Sequence, residues 1–329
     1  MSDTKISTQA SQMFSTARIY CLISIVSAHM YFYGTFAYDF LSRLGTIGVI
    51  LFLIMAGYFF KPSKFTSVGH LLKNKFYSIC IPWLFLGSLT WLYKATLSSQ
   101  FRSVNEYFKW ILGNGSYLYY IPVLLLCFLM LYKAPEIILY ALLPITAVSI
   151  FLTTCGLLDP IYSFIGISAF LNVFNWIGFF SLGMLLQKID TEKLFDFFKK
   201  FRILNVSLFV TAFVLLLIFK NVSYGYFSYI AIPYELLGCM AILSMSTLSL
   251  TKFQFFKELS NLSFSIYLIH MIFIGLLDQI MNLSNITRLA SPLIIIVVSF
   301  FFLFVGRFIS KKIHLEKNYI LLTGARNSK

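Results

Sequence analysis

Long apolar runs separated by short polar segments repeat along almost the entire 329-residue chain. A membrane-spanning helix needs about 20 mostly apolar residues, and the runs predict ten such helices. We place them at residues 18–36, 45–60, 76–95, 117–132, 136–155, 168–187, 202–220, 226–248, 260–281 and 290–309. The pattern therefore predicts an all-α fold, a polytopic integral membrane protein with about ten transmembrane helices.

The same pattern divides the chain into three parts. Residues 1–17 form a short polar tail, residues 18–309 a single transmembrane domain, and residues 310–329 a second polar tail. Composition agrees, because 59% of the residues are hydrophobic, 12% are charged and the mean hydropathy is +0.83. A chain this apolar argues against a nucleic-acid-binding protein, although its net charge is +14.

The positive charges are distributed unevenly across the predicted membrane. Twenty of the 26 Lys and Arg residues fall on the side that carries both chain termini. The six on the opposite side are Arg43, Lys94, Arg102, Lys109, Lys220 and Arg288. Because cytoplasmic loops are enriched in Lys and Arg, we expect both termini to be cytoplasmic.

Arg18 and His29 are ionisable residues on the first predicted span. At about 100° and 1.5 Å per residue, they lie on one helix face, about 16 Å apart along the axis. An ionisable side chain within a membrane costs several kcal/mol unless a partner or a polar cavity offsets the cost. We therefore expect a functional site, with Arg18 at the membrane boundary and His29 near the midplane.

Other polar residues are predicted at a similar depth. Glu235 on the eighth span and His270 on the ninth both lie near the midplane. A histidine exchanges a proton near neutral pH, and a carboxylate can orient it, so His29 and Glu235 are candidate catalytic residues. Asn172 and Asn175 are expected to line the same cavity. The alternative for His270 and for both asparagines is interhelical hydrogen bonding.

Arg18, Lys73 and Lys75 are expected at one level, at the cytoplasmic starts of the first and third spans. Such a cluster suits phosphate groups, although lipid-headgroup anchoring explains the lysines as well. Positively charged residues at the cytoplasmic entrance, followed by a base near the midplane, predict that an anionic molecule that donates a chemical group binds from the cytoplasm. No Cys or His spacing indicates a metal site.

Five segments, in chain order, carry a resemblance to a known family. They are Arg18 with His29, the run Gly48 to Tyr58, the group Lys73, Lys75 and Pro82, the run Leu118 to Pro122, and Ser263 with Tyr267 and His270. This order resembles the integral-membrane acyltransferase-3 family, whose members O-acetylate bacterial surface polysaccharides and related acceptors. The chain departs from the family pattern at three places. A two-arginine motif is reduced to Lys75 and Ser78, Ala56 replaces a serine, and Tyr119 replaces a tryptophan.

The resemblance implies a membrane O-acyltransferase of the bacterial cytoplasmic (inner) membrane. Acetyl-CoA in the cytoplasm would be the donor, and a hydroxyl of a cell-surface polysaccharide or of its lipid-linked precursor would be the acceptor. The expected partners are this glycan, membrane lipids and surface-polysaccharide assembly proteins. The acceptor sugar and the oligomeric state are left open.

The resemblance also suggests roles for the candidate residues. Arg18, Lys73 and Lys75 would bind the phosphates of CoA. His29 would act as a general base or as a transient acyl carrier, and Glu235 would orient an imidazole. The remaining residues would shape the cavity or bind the acceptor, and they are His270, Tyr267, Asn172 and Asn175.

Two alternatives stay open at this point. A transporter or flippase for a polysaccharide or lipid-linked sugar also has many spans and intramembrane ionisable residues, but many transporters show internal repeats, and none is evident here. Within the acyltransferase interpretation, the transferred group is acetyl or another acyl group such as succinyl.

Overall fold

The computed structural model describes residues 8–97, 103–219, 225–280 and 284–326. Lys5, Arg102, Lys220 and Lys329 of the charge pattern lie outside these ranges. The described residues form helices and turns without strands, which confirms the all-α prediction. The α-helices are α1 (Thr8–Ala28), α2 (Phe36–Gly45), α3 (Ile47–Phe59), α4 (Val68–Lys75), α5 (Ile81–Leu97), α6 (Val104–Ile111), α7 (Tyr120–Met130), α8 (Glu136–Thr154), α9 (Asp159–Ile165), α10 (Ile177–Leu186), α11 (Thr191–Lys200), α12 (Arg202–Ile218), α13 (Ala231–Ser246), α14 (Gln254–Asn261), α15 (Ser263–Ile280), α16 (Asn285–Lys312) and α17 (Glu316–Thr323).

Several helical segments are long and apolar enough to cross a membrane. Within the described ranges there are five, namely Phe36–Phe59, Val68–Thr96, Glu136–Thr154, Ala231–Lys252 and Ile286–Lys312. Two bent pairs, α11 with α12 at 62° and α14 with α15 at 79°, raise the number to seven if each pair is one span. A multi-pass membrane protein is confirmed, and the count of ten stays a prediction.

Helix α1 is the central helix of the bundle. It packs against α2, α3, α13, α14, α15 and α16. It begins at Thr8 and so includes ten residues that the hydropathy pattern assigned to a polar tail. These residues are helical because side chains such as Met13 and Phe14 are buried, and because Thr16 and Thr251 lie within hydrogen-bond distance, 3.4 Å apart.

Small residues hold α1 close to the junction of α2 and α3. A Cβ atom added at Gly45 would lie 2.5 Å from the Cα atom of Ala28, so no larger residue fits there. The Ser24 hydroxyl donates to the Leu44 carbonyl at 2.6 Å and accepts from the Gly48 amide at 2.8 Å. These contacts fix the end of α1 at Ala28, and therefore the position of His29.

The bundle has two chemically different ends. One end carries α11, α14 and α17 with their lysines, and we call it the basic end. Hydrogen-bond contacts join its elements, for example Tyr58 Oη with Thr191 Oγ1 at 2.9 Å. The opposite end carries residues 29–35, 112–117 and 166–175.

We predict that Gly183→Val destabilises the protein, because its Cβ atom would overlap the Ile54 carbonyl oxygen where α10 packs against α3. Overpacking of this kind lowers the free energy of unfolding by about 1–3 kcal/mol. The melting temperature of the purified protein in detergent measures the effect. Gly69→Ala is the control, since its Cβ atom would meet only Ser67 Oγ at 3.7 Å. Equal melting temperatures for both variants would contradict the prediction.

Candidate active site

A cavity of about 390 Å³ opens beside the end of α1. Its volume is within the range of small-molecule sites, which are about 300–1,000 Å³. Polar and aromatic side chains line much of it, among them His29, Tyr31, Lys94, Trp110, Tyr117 and Tyr267. The cavity therefore combines apolar walls with several groups that donate or accept hydrogen bonds.

The two predicted histidines meet beside this cavity. The ring centroids of His29 and His270 lie 5.2 Å apart, and the Tyr117 ring lies 6.0 Å from the first and 5.1 Å from the second. His29 directly follows the last residue of α1, whereas we had expected it inside a helix. Its Nδ1 atom lies 3.3 Å from Tyr31 Oη. The expected convergence of His29 and His270 is present in the structure.

The hydrogen bond of His270 determines its tautomer. His270 Nδ1 lies 2.6 Å from the Tyr267 carbonyl oxygen, and because a carbonyl only accepts, Nδ1 carries the proton. In the neutral ring, Nε2 then has a free lone pair. Nε2 is buried and has no hydrogen-bond partner among the described residues. Since an unpaired buried acceptor costs about 1–3 kcal/mol, this atom marks a position for a donor group of a ligand or for water.

Tyr117 connects the helices around the two imidazoles. Its hydroxyl donates to the Leu268 carbonyl, which also accepts from Thr90 Oγ1 at 3.2 Å. The Tyr267 hydroxyl donates in return to the Tyr117 carbonyl at 2.7 Å. Sequence analysis missed Tyr117, although it directly precedes the run Leu118 to Pro122 that contributed to the family resemblance. These bonds fix α15, and with it His270, relative to α5 and the turn before α7.

Lys94 is a second residue that sequence analysis did not place at the site. It lines the cavity near the end of α5, with Nζ 4.8 Å from the centroid of the Trp110 ring. Trp110 Nε1 donates to the Gly87 carbonyl at 3.3 Å, which holds the indole in place. The available signal was a lysine inside the apolar run 76–95, where an ionisable residue is costly.

Glu235 does not contact either imidazole by a hydrogen bond. It lies on α13 and is 1% exposed, and neither carboxylate oxygen has a hydrogen-bond partner in the described part of the chain. The group that orients His270 is the Tyr267 carbonyl instead. Buried polar atoms are almost always paired, and nothing in the described structure explains this exception.

Asn172 and Asn175 belong to a polar network between α8 and the segment before α10. Asn175 Oδ1 accepts from Ser149 Oγ at 2.6 Å, and Asn175 Nδ2 donates to the Ala169 carbonyl at 3.0 Å. Asn172 Nδ2 donates to Tyr162 Oη at 2.9 Å. Neither asparagine is among the residues that line the cavity. The structure thus places both in interhelical hydrogen bonding, the alternative stated above.

The two lysines of the predicted basic cluster have different surroundings. Lys73 is exposed. Lys75 is half-buried, with Nζ 3.7 Å from the ring centroid of Phe128 and 5.8 Å from those of Phe60 and Phe65. A π-helical turn, Phe76–Cys80, follows directly. Lys75 is therefore enclosed by aromatic rings.

Arg18 lies on α1 with its guanidinium carbon 5.7 Å from the centroid of the Phe59 ring. Its neighbouring cation is Arg326, whose positive charge opposes its own. The surrounding protein lowers the pKa of Arg326, because it removes part of the water around the guanidinium and so disfavours the charged form. The structure thus brings Arg18 together with an arginine that sequence analysis assigned to a tail.

Comparison with known families decides the class of this protein. The acyltransferase domain of the acyltransferase-3 family matches residues 14–310. The chain belongs to the acyltransferase-3 family. The match begins within α1 and ends within α16, so Arg18, His29 and His270 all lie inside it. Searches of curated proteins and of solved structures found no match.

This acyltransferase has no evident metal centre in the described ranges. No group of three or more His, Cys, Asp and Glu side chains there is placed to hold a metal ion. The groups that meet at the cavity wall are imidazole, phenol, indole and ammonium groups. Proton transfer and hydrogen bonding are the chemistry these side chains provide.

We predict that Tyr117→Phe destabilises this acyltransferase, because it removes the hydroxyl that donates to Leu268 and leaves the ring in place. Loss of one such bond lowers the free energy of unfolding by about 1 kcal/mol. The melting temperature in detergent is the measurement, and Tyr77→Phe is the control, since Tyr77 is 50% exposed. A stability unchanged by Tyr117→Phe would show that this bond does not hold α15.

Proposed function

We propose that this acyltransferase transfers an acetyl group from cytoplasmic acetyl-CoA to a hydroxyl of a cell-surface polysaccharide or of its lipid-linked precursor. One observation carries the proposal. The His29 and His270 rings meet at a cavity, 5.2 Å apart, while Arg18 lies on the same helix as the residue preceding His29, nearer the basic end. A phosphate-binding cation in the middle of α1 and a proton-transfer site just after its last residue are thus held by one rigid element.

The proposal includes a location and a set of partners. The protein lies in the cytoplasmic membrane of a bacterium, with its basic end and both termini in the cytoplasm, which agrees with the distribution of Lys and Arg. The glycan acceptor enters the cavity from the opposite end. Surface-polysaccharide assembly proteins deliver the acceptor or receive the product.

The donor binds along α1. The Arg18 guanidinium suits a phosphate group, to which it donates two parallel hydrogen bonds. Lys73, exposed at the same end, attracts the anionic donor, and Lys75 adds positive charge from within its aromatic surroundings. The extended arm of CoA carries the thioester toward His29, about 16 Å along the helix axis.

Acyl transfer at the two imidazoles proceeds in one displacement. His29 takes the proton of the acceptor hydroxyl while the hydroxyl oxygen forms a bond to the thioester carbonyl carbon. The carbon–sulfur bond then breaks, and the CoA thiolate takes the proton from the imidazolium. In the variant with an acyl carrier, His29 attacks the thioester carbonyl carbon and the CoA thiolate leaves. The acceptor oxygen then bonds to the acyl carbon and displaces the imidazole, and the proton of its hydroxyl passes to the thiolate.

Three further groups support the reaction. His270 Nε2 has no hydrogen-bond partner in the described structure. It receives a hydrogen bond either from the glycan hydroxyl that accepts the acyl group or from protonated His29. The Lys94 ammonium lines the same cavity and suits the negative charge that develops on the carbonyl oxygen. Tyr267 shapes the wall and holds the His270 tautomer through its carbonyl.

We predict that His29→Ala abolishes acetyl transfer while the protein still inserts and accumulates. A positioned base contributes about 10²–10⁴-fold to the rate, so the variant should keep at most about 1% of the activity. Mass spectrometry of surface glycans measures the added acetyl groups, in cells with matched membrane levels of each variant. His70→Ala is the control, because His70 is an exposed histidine on α4, away from the cavity.

Each outcome of this experiment is informative. An acetyl-sized gain that requires His29 supports the proposal, and full activity in His29→Ala excludes His29 as base or carrier. A succinyl-sized gain keeps the enzyme class and changes the donor. An altered amount of exported glycan without added mass would contradict acyl transfer and favour transport.

A further inference from the structure

The segment after α16 folds back onto the basic end. Helix α17 packs against α5 and α16. Ser265 Oγ on α15 donates to the Thr323 carbonyl at 2.8 Å, and the Arg326 amide donates to the Asn261 carbonyl at 3.2 Å. The segment 316–326 is therefore attached to the helix pair α14 and α15, and both of those helices pack against α1.

The turn at Gly324 directs the end of this segment inward. Gly324 has φ +70°, a left-handed conformation that glycine adopts at no steric cost and that ends α17. A Cβ atom there would lie 2.8 Å from the Phe264 ring and 3.1 Å from Pro82, so the backbone passes closely between α15 and α5. Ala325 is buried at 4% exposure. The backbone position of Arg326 is consequently fixed.

This backbone path attaches Arg326 to α14, which packs against α1, and the positive charge of Arg326 acts on the Arg18 guanidinium. No described carboxylate forms an ion pair with either guanidinium. The nearby Arg307 is different, because it lies 3.4 Å from both Glu258 and Glu316. Like charges held together in a partly buried place raise the free energy of the folded protein, and a bound anion removes that cost.

Arg18 and Arg326 are accessible to a ligand, and both offer guanidinium groups. Arg18 is half-buried and the Arg326 side chain keeps contact with solvent, so an anion can reach both. Lys75 does not complete the pair, because three phenylalanine rings surround it. Two guanidinium groups offer the planar, paired donors that match phosphate oxygens.

We propose that Arg18 and Arg326 together clamp the phosphate groups of the donor, so that the C-terminal segment forms one wall of the donor site. The inference rests on the proposed function for the identity of the donor. The chemistry that the clamp recognises is a phosphate or pyrophosphate group. The residue Arg326 lies outside the part of the chain that matches the family, which ends at residue 310.

The test is ligand binding by the full-length protein in detergent, by titration calorimetry with acetyl-CoA and, separately, with inorganic pyrophosphate. We expect Arg326→Ala to weaken binding of both ligands at least about tenfold, which corresponds to about 1.4 kcal/mol. Arg326→Lys should recover part of the loss, because it restores the charge without the fork of donors. Lys317→Ala, which removes an exposed positive charge from α17, should bind within about twofold of wild type.

The outcomes separate the clamp from the proposed donor. If wild type and Arg326→Ala bind acetyl-CoA equally, the proposal that Arg326 binds the donor phosphates is wrong, and acetyl-CoA remains the proposed donor. If wild type binds pyrophosphate but not acetyl-CoA, and Arg326→Ala binds neither, the result supports phosphate binding by the two arginines and rejects acetyl-CoA as the donor. If wild type binds neither ligand, the clamp is wrong. An equal loss of affinity in Arg326→Ala and Lys317→Ala would also overturn the proposal, because the affinity would then depend on the total positive charge and not on Arg326.

Discussion

The close contact of α1 with α2, where Ala28 meets Gly45, determines where the ionisable residues of α1 lie. A helix fixed at one end and surrounded by other helices is a rigid rod. Arg18, in the middle of α1, and His29, just after its last residue, therefore keep a constant separation. The cavity, the imidazole pair and the arginine pair are all arranged around this rod.

Much of the fold follows from hydrophobicity, because lipid permits only segments that satisfy their own backbone hydrogen bonds. The apolar runs therefore predicted helices and a membrane protein. Counting residues along the predicted spans also gave His29 and His270 a similar depth, and their rings lie 5.2 Å apart. The start of α1 at Thr8 was not readable, since its polar residues are held by protein contacts that hydropathy does not measure.

The direction in which a side chain points around its helix is harder to predict from sequence than its position along the helix. Glu235 was expected at the same depth as the histidines, yet its carboxylate has no hydrogen bond to either of them. Asn172 and Asn175 lie in the turns before α10 and not inside the predicted helix, and they bond to α9 and α8. Arg326 was missed because its position depends on a turn at Gly324 and on contacts with segments about 60 residues earlier in the chain. Local sequence patterns contain no information on such contacts.

The Leu268 carbonyl has a consequence for how substrates reach the site. It accepts hydrogen bonds from Tyr117 and Thr90, which belong to different parts of the bundle. Turning α15 about its own axis would break both bonds in surroundings with little water to replace them. Exchange of substrates by rotation of this helix is therefore unfavourable. These two bonds therefore keep α15, and with it His270, in one orientation relative to Tyr117 and Thr90.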